Sequence, residues 1–537
     1  MKHFYRMSVF LLIFSLLSVF ADALTIIADS SNYTSFLSKL QPGDTLLLKK
    51  GDYSNGLRLN DLHGEAGRHI VITGVSNSET IFEGKSGRNT VSITKCSYLT
   101  IKSLKLDGKG LPVDAVKAEG TKGNYAHDII LEDLYITNHH SNLQIVGIST
   151  KCPAWNWIIR RNVIDYAGTG IYLGNSDGTK PFVNGIIEYN LIMHTIGYCM
   201  EIKHQNEGLR TLPGMPKNGK TIIRYNVFSR EPVEDIKQSQ RPNLLVGNFP
   251  AKGDGSDDYY EIYGNFFWQN PNEALFQGTG NIALYSNIFV NHYEADGFRA
   301  VYITKHKNFK PRNIAVFHNT VYAKNPYGGI RLYSADKEYK QYAWTNAVFS
   351  PSPITNFNEM FENVTDDYEK ASEYVINASS ELEFLDLYPQ TGKLFAEAVD
   401  MSLFDKYTDF DLDFNGEKYN EAYRGAYSGD GENPGWKLAL EIRPPVGTPT
   451  DVRDFRRNEQ LSVYPNPADD FIEVLLTSDI IEGTKSHKIM IDVYDLLGRC
   501  VLSRSAESSR IRIDVSDLMP GVYFVRTGGE TTKFIKL

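Results

Sequence analysis

The chain has only four cysteines, Cys96, Cys152, Cys199 and Cys500, too few and too scattered for a disulfide framework or a regularly spaced zinc site. Packing must therefore carry its stability. Helical periodicity is nearly absent over the long middle of the chain, which excludes helical repeats. Positive charge is not in excess: 56 Lys plus Arg against 65 Asp plus Glu give a net charge of -9, which excludes a general nucleic-acid or anionic-membrane binder. After the first 23 residues no apolar run is long enough to cross a bilayer. What the chain does have is 32 Tyr, 28 Phe and 43 Gly, a composition suited to strands, tight turns and aromatic-lined carbohydrate surfaces. Its 537 residues predict about three structural units, and 42% apolar with 23% charged residues is ordinary globular usage.

Residues 1–23 open with Lys2, His3 and Arg6, run apolar from Val9 to Phe20 and close on Ala21-Asp22-Ala23. This order predicts a secretory signal peptide cleaved after Ala23. At the other end, a Pro-, Gly- and charge-rich connector over 443–460 precedes a unit, 461–537, whose apolar-alternating runs are each bounded by Pro, Gly or Asp. A small antiparallel β-sandwich is predicted there. Its blocks Tyr464-Pro465-Asn466-Pro467, Tyr494-Asp495 with Gly498-Arg499, Leu518 with Pro520-Gly521-Val522-Tyr523, and Lys533 to Leu537 resemble the C-terminal sorting domain of type IX secretion cargo of Bacteroidetes. That resemblance implies contact with the type IX machinery and export to the medium or the outer-membrane surface.

From about residue 70 a short phrase repeats, with Asn between β-branched or aromatic neighbours, at Asn162, Asn190, Asn226, Asn265, Asn287, Asn319 and Asn346. Phrases around Ser103 and Asp133 extend the series backwards, and a period near 30 with variable insertions means a solenoid. Several short strands per period leave a parallel β-helix, in which one Asn per coil can form a hydrogen-bonded ladder. The region resembles the right-handed parallel β-helix proteins, a superfamily that includes pectate, alginate and chondroitin lyases and polygalacturonase-type hydrolases. The expected fold class is thus all-β: a right-handed parallel β-helix over 24–350, an extension over 351–442 that covers the solenoid, and the C-terminal sandwich.

β-Helix enzymes work on an outer face, and period-two arithmetic predicts which residues reach it. In CMEIKHQN, Met200 and Ile202 face inward, so Glu201 and Lys203 share an outer face. Aligning later strands gives one column of Tyr172, Glu201, Leu245, Leu275, Tyr302 and Arg331, and a second of Gly174, Lys203, Gly247, Gln277, Thr304 and Tyr333. Basic insertions at 199–245 and 299–312 follow equivalent strands and should project from the same edge of the solenoid, making the basic groove expected for a uronate polymer. A lyase needs a base beside the C5 proton and a cation for the developing enolate. Lys203 is the base candidate, with His204 its rival. Arg210, Arg224, Arg241 and Arg299 are candidate carboxylate clamps, and Gln277, Tyr302, Lys305 and Arg331 are candidate substrate contacts. Tyr172, Trp268 and Tyr333 could stack on sugar rings. Asp254, Asp257 and Asp258 could bind Ca²⁺, the one cofactor this reading allows.

The leading expectation is a secreted, monomeric polysaccharide lyase that cleaves an extracellular uronate polymer by β-elimination. A glycoside hydrolase built on Glu201 with Asp177 or Glu273, and a non-catalytic glycan-binding or adhesive protein, stay open beside it. None of the three takes nucleic acid as a partner or keeps an integral membrane segment.

Overall fold

The computed structural model describes residues 23–294, 298–446, 461–464, 468, 470–476, 489–495, 499–506, 510–519, 521–527 and 530–536. The predicted signal peptide, save Ala23, and the connector from residue 447 lie outside the described residues. The long body is a right-handed parallel β-helix built on three sheets of 15, 12 and 11 strands. Each coil runs through one strand of each sheet in turn. In the first sheet Ile101, Leu131, Ile159, Ile187, Ile223 and Ile262 sit in register one above another and are fully buried. Burying each such side chain is worth about 1.5–3 kcal/mol, which is why branched aliphatics recur at this position.

The asparagines sit inside the turn between the first and second sheets. Asn162, Asn190, Asn226, Asn265, Asn287, Asn319 and Asn346 each donate from Nδ2 to Oδ1 of the next, at 2.9–3.0 Å, and Asn346 passes the ladder on to Asn363. From Asn190 onward each Oδ1 also accepts the preceding coil's Asn backbone N–H, as in Asn226 N to Asn265 Oδ1 at 2.9 Å. The residue before each Asn is left-handed, for example Arg161, Tyr189 and Tyr225 at φ 57°, 54° and 58°. Ser103 and Asp133 hold that preceding position, at φ 55° and 54°. The Asn slot in their coils belongs to Leu104 and Leu134, and Leu134 N donates to Asn162 Oδ1. The backward extension of the repeat is therefore offset by one residue.

The first coil is closed by a short helix, Thr34–Leu37, and by Tyr33, whose buried ring packs edge-on against Tyr53 and Phe82. The segment after residue 350 has 3₁₀ turns at Tyr368–Glu373, Leu382–Phe384 and Ser402–Phe404. It lies over two lateral faces rather than one. On the first sheet Tyr263, Tyr285 and Phe317 stack at 4.7 Å spacing and Phe404 continues the stack at 4.4 Å. On the second sheet Phe266, Trp268, Ile288 and Tyr322 pack under Tyr368, Phe414, Tyr427 and Trp436. The Gly425-Ala426 turn locks this cover down, through Gly425 N to Thr345 O and Ala426 N to Thr320 Oγ1, both 2.8 Å. The third sheet belongs to neither of these apolar covers, and its outer face carries the polar columns.

The C-terminal unit has a three-stranded and a four-stranded antiparallel sheet packed around Ile472, Val474, Ile491, Val493, Ile513, Val525 and Phe534. Among the described residues no helix is long and apolar enough to cross a membrane.

Candidate active site

The third sheet sets the geometry. Its register joins Arg58, Ser92, Lys117, Ser149, Tyr172, Glu201, Leu245, Gln277, Tyr302 and Arg331 in one outward column. One pleat further, Gly247, Thr279, Thr304 and Tyr333 follow Lys203, with Lys151 and Gly174 before it. Gln277 thus stands in the Glu201 column, not that of Lys203, and Leu275 is a fully buried corner residue. The cause is the run Ala274-Leu275-Phe276, all buried, because the corner before the strand also packs inward.

Glu201 points away from the solenoid core yet is only 3% exposed, because Lys203 lies over it with Nζ 2.7 Å from Oε1. The strand ends at Ile202, so His204 is freed from strand parity and joins the wall of a cleft of about 190 Å³. Tyr198, Lys203, Gln277, Thr304, Lys305 and His306 complete much of that wall. The His204 and His306 rings lie 5.6 Å apart, so the loops that leave the third sheet after these coils meet. Burial first, then the neighbouring cations, holds both imidazoles below their ordinary range. Gly247 is required here, since a Cβ would come within 2.3 Å of the His204 nitrogen.

The opposite edge is formed by loops entering the third sheet, so the basic insertions border both edges rather than one: each spans residues before and after a third-sheet strand, with Arg241 and Arg299 before and Lys305 after. Arg241 lies 5.5 Å from the Tyr198 ring centre. Glu273, pushed up by burial, feels the opposing pull of Arg241, Arg230 and Arg299. Arg299 lies 4.7 Å from the Tyr302 ring centre and 5.3 Å from that of Tyr327. Arg331 neighbours Tyr333 at 5.7 Å.

One side chain of this face escaped the columns drawn from sequence. Lys151 follows the strand Val146–Thr150, and its Nζ lies 3.4 Å from the centre of the Tyr172 ring, with Lys203 Nζ at 5.7 Å from the same centre. Burial lowers the Lys151 ammonium to about 8, opposed by Asp114 and assisted by Lys117. Tyr172 is pushed up by burial and by Glu201, so its phenol keeps its proton. Lys151 was legible, since VGIST precedes GIYLG by one coil and extending the columns back one strand reaches it.

Other candidates stand elsewhere. Arg224 is on the first sheet, bound to Glu188 at 2.8 Å and to Asp409 of the extension at 3.2 Å, too far around the solenoid to clamp a ligand in the cleft. Arg210 is buried in an ion pair with Asp258 and donates to Gln205 at 2.8 Å, so its fork is already spent. Trp268 is 1% exposed beneath the extension and cannot stack on a sugar. The calcium candidates do not converge: Asp258 is committed to Arg210 and to Gly219 N at 2.7 Å, while Asp257 is exposed. Among the described residues no group of three or more His, Cys, Asp or Glu could hold a metal ion.

Residues 462–537 match the family described as the secretion system C-terminal sorting domain. No curated protein matches the chain. Among solved structures it is similar to an alginate lyase from Paenibacillus sp. str. FPU-7, at 14% identity over 64% of this chain and 99% of that one, with a TM-score of 0.34. It is also similar to the pectate lyase Pel9A, at 12% identity over 77% and 97% with a TM-score of 0.41. A third is the A-module of the mannuronan C-5 epimerase AlgE6 of Azotobacter vinelandii, at 13% identity over 60% and 91% with a TM-score of 0.31. At these values the likeness is one of fold and carries nothing about chemistry. The chain is a right-handed parallel β-helix that ends in a domain matching the type IX secretion sorting family, and so carries the mark of cargo for that pathway.

Proposed function

We propose that the uncovered third-sheet face is the active site of a polysaccharide lyase that cleaves a uronate polymer by β-elimination, with Lys151 as its base. The observation that carries this reading is the Lys151 amine, lowered to about 8 by burial on the polar face beside Tyr172 and Lys203. An amine in that range is part neutral in mildly alkaline water and can accept a proton, whereas an ordinary lysine cannot. Lys151 takes the C5 proton, the C5–H electrons form the C4=C5 bond, and the C4–O4 bond breaks. The resulting Lys151 ammonium returns a proton to the leaving O4. Lys203 and the basic edge loops stabilise the charge that builds on the uronate carboxylate. Glu201 holds Lys203 in place across 2.7 Å.

One observation favours a second reading, hydrolysis by a carboxylate pair. Tyr198, raised to about 12, senses both Glu201 and Glu273 after burial, and burial raises Glu273 as a general acid requires. Against it, Glu201 is the single carboxylate among the described residues that line the cleft. A screen of the chain without its signal and sorting segments against alginate, pectate and glycosaminoglycans, with and without Ca²⁺, separates the two. Unsaturated-uronate absorbance that rises with reducing ends and is lost in Lys151→Met supports elimination. Reducing ends without absorbance, lost in Glu273→Gln, support hydrolysis and refute the lyase.

A further inference from the structure

A cavity of about 360 Å³ opens beside the first third-sheet strand, Leu57–Asn60, against the capping helix Thr34–Leu37. It is larger than the cleft around Lys203, and its wall includes Arg58, Arg88, Asn55 and Asn60. Arg58 is exposed and opens the same outward column that leads through Ser92, Lys117 and Ser149 to Tyr172. Arg88 reaches back to donate to Asn55 O at 3.3 Å, which holds its guanidinium at the cavity wall. Both cations act on the Tyr33 phenol under the cavity, opposing the burial that raises it to about 12. Among the described residues no carboxylate pairs with either arginine, whereas Lys117 and Lys203 further along the face are paired, to Asp114 at 3.0 Å and Glu201 at 2.7 Å. Glu119, beyond the end of the Lys117 strand, is held by Asn89 Nδ2 at 2.9 Å and Ser92 Oγ at 2.8 Å.

From the Arg58 strand to the strand before Lys151 is three ladder steps, ~14 Å at about 4.8 Å per step. An extended 1,4-linked uronate chain advances by about one ladder step per sugar, so its carboxylates keep pace with the coils. Resting on the lyase reading of the same face, we propose that this N-terminal cavity is a distal subsite that takes a uronate carboxylate about three sugars from the bond cut at Lys151. Arg58 and Arg88 bind it as planar, bidentate donors, and the chain lies along the solenoid axis. The face then selects long polyuronate chains over short fragments.

The test uses the mature chain and its Arg58→Ala/Arg88→Ala variant, with Arg58→Glu as a second variant that leaves the Arg88 loop bond intact. Mobility is read in gels containing alginate or polygalacturonate, with neutral hydroxyethyl cellulose as the control. Initial rates are compared on each polymer and on its uronate trisaccharide. The expected result is retardation by at least one of the two polyanions that weakens roughly tenfold in both variants, together with a similar fall in the polymer-to-trisaccharide rate ratio. Equal retardation of variants and parent, or equal loss of rate on polymer and trisaccharide, overturns the subsite while leaving the lyase reading intact. If the parent forms no unsaturated product, the gels still decide: retardation lost in the variants supports the subsite as the lyase reading falls. A parent retarded by neither polyanion overturns it.

Discussion

The pH dependence of cleavage is the sharpest test of Lys151. A base whose ammonium titrates at about 8 is roughly one-tenth neutral at pH 7, about half at pH 8 and about nine-tenths at pH 9. kcat/KM should therefore climb about fivefold from pH 7 to pH 8 and less than about twofold from pH 8 to pH 9. Lys151→Met should lose roughly 10²–10⁴-fold in rate and lose the alkaline limb with it. Lys117 sharpens the test, because its charge helps hold Lys151 low while Asp114 pulls the other way. Lys117→Met removes the cation and frees Asp114 from its 3.0 Å partner, so both changes favour the Lys151 ammonium. The limb should move to higher pH in that variant, read from initial rates of unsaturated-uronate absorbance at constant ionic strength. A limb that stays where it was in Lys117→Met, or that survives in Lys151→Met, would refute the assignment of the base.

Lys203→Met leaves the buried Glu201 carboxylate without its 2.7 Å partner, and should cost about 3 kcal/mol in a urea titration. Adding Glu201→Gln should restore most of it, and a double variant no more stable than Lys203→Met would argue against a buried-charge penalty. Asn265→Ala removes three donated and two accepted hydrogen bonds inside the turn, all at 2.9–3.0 Å, and should cost about 3 kcal/mol or more. Asn363→Ala, at the half-buried end of the ladder, should cost clearly less, and equal urea midpoints would count against ladder cooperativity. Burial pushes Glu421 of the extension up to about 7. Its folded value lies above its unfolded one, so the stability it contributes is full below about pH 4.5 and declines as pH rises through about 7. Glu421→Gln should therefore raise Tm at pH 8 and leave it nearly unchanged at pH 4.5, and the reverse order in calorimetry would contradict the sign.

The sequence by itself determined the solenoid, because its cause is local and repeats. One Asn after a left-handed residue and one inward aliphatic per strand recur at a period that only stacked coils satisfy. The same period-two pleat made the outward parity of Glu201, Lys203, Tyr302 and Arg331 legible, although the phase at Gln277 was lost where a buried corner imitated a strand. The C-terminal sorting blocks were legible for the same reason, as short runs fixed by turn chemistry.

Which of the three outer faces stays polar was decided only in three dimensions. Trp268 reads in sequence like a sugar platform, and it is the extension, far along the chain, that buries it, as it buries Tyr263 on the first sheet. Pairing was equally hidden: Arg210 meets Asp258 and Arg224 meets Asp409 across long separations that charge counting along the chain cannot see. The lowered amine of Lys151 arises from burial against a neighbouring coil. Desolvation belongs to the packed surroundings of a side chain, not to the residues beside it in the chain.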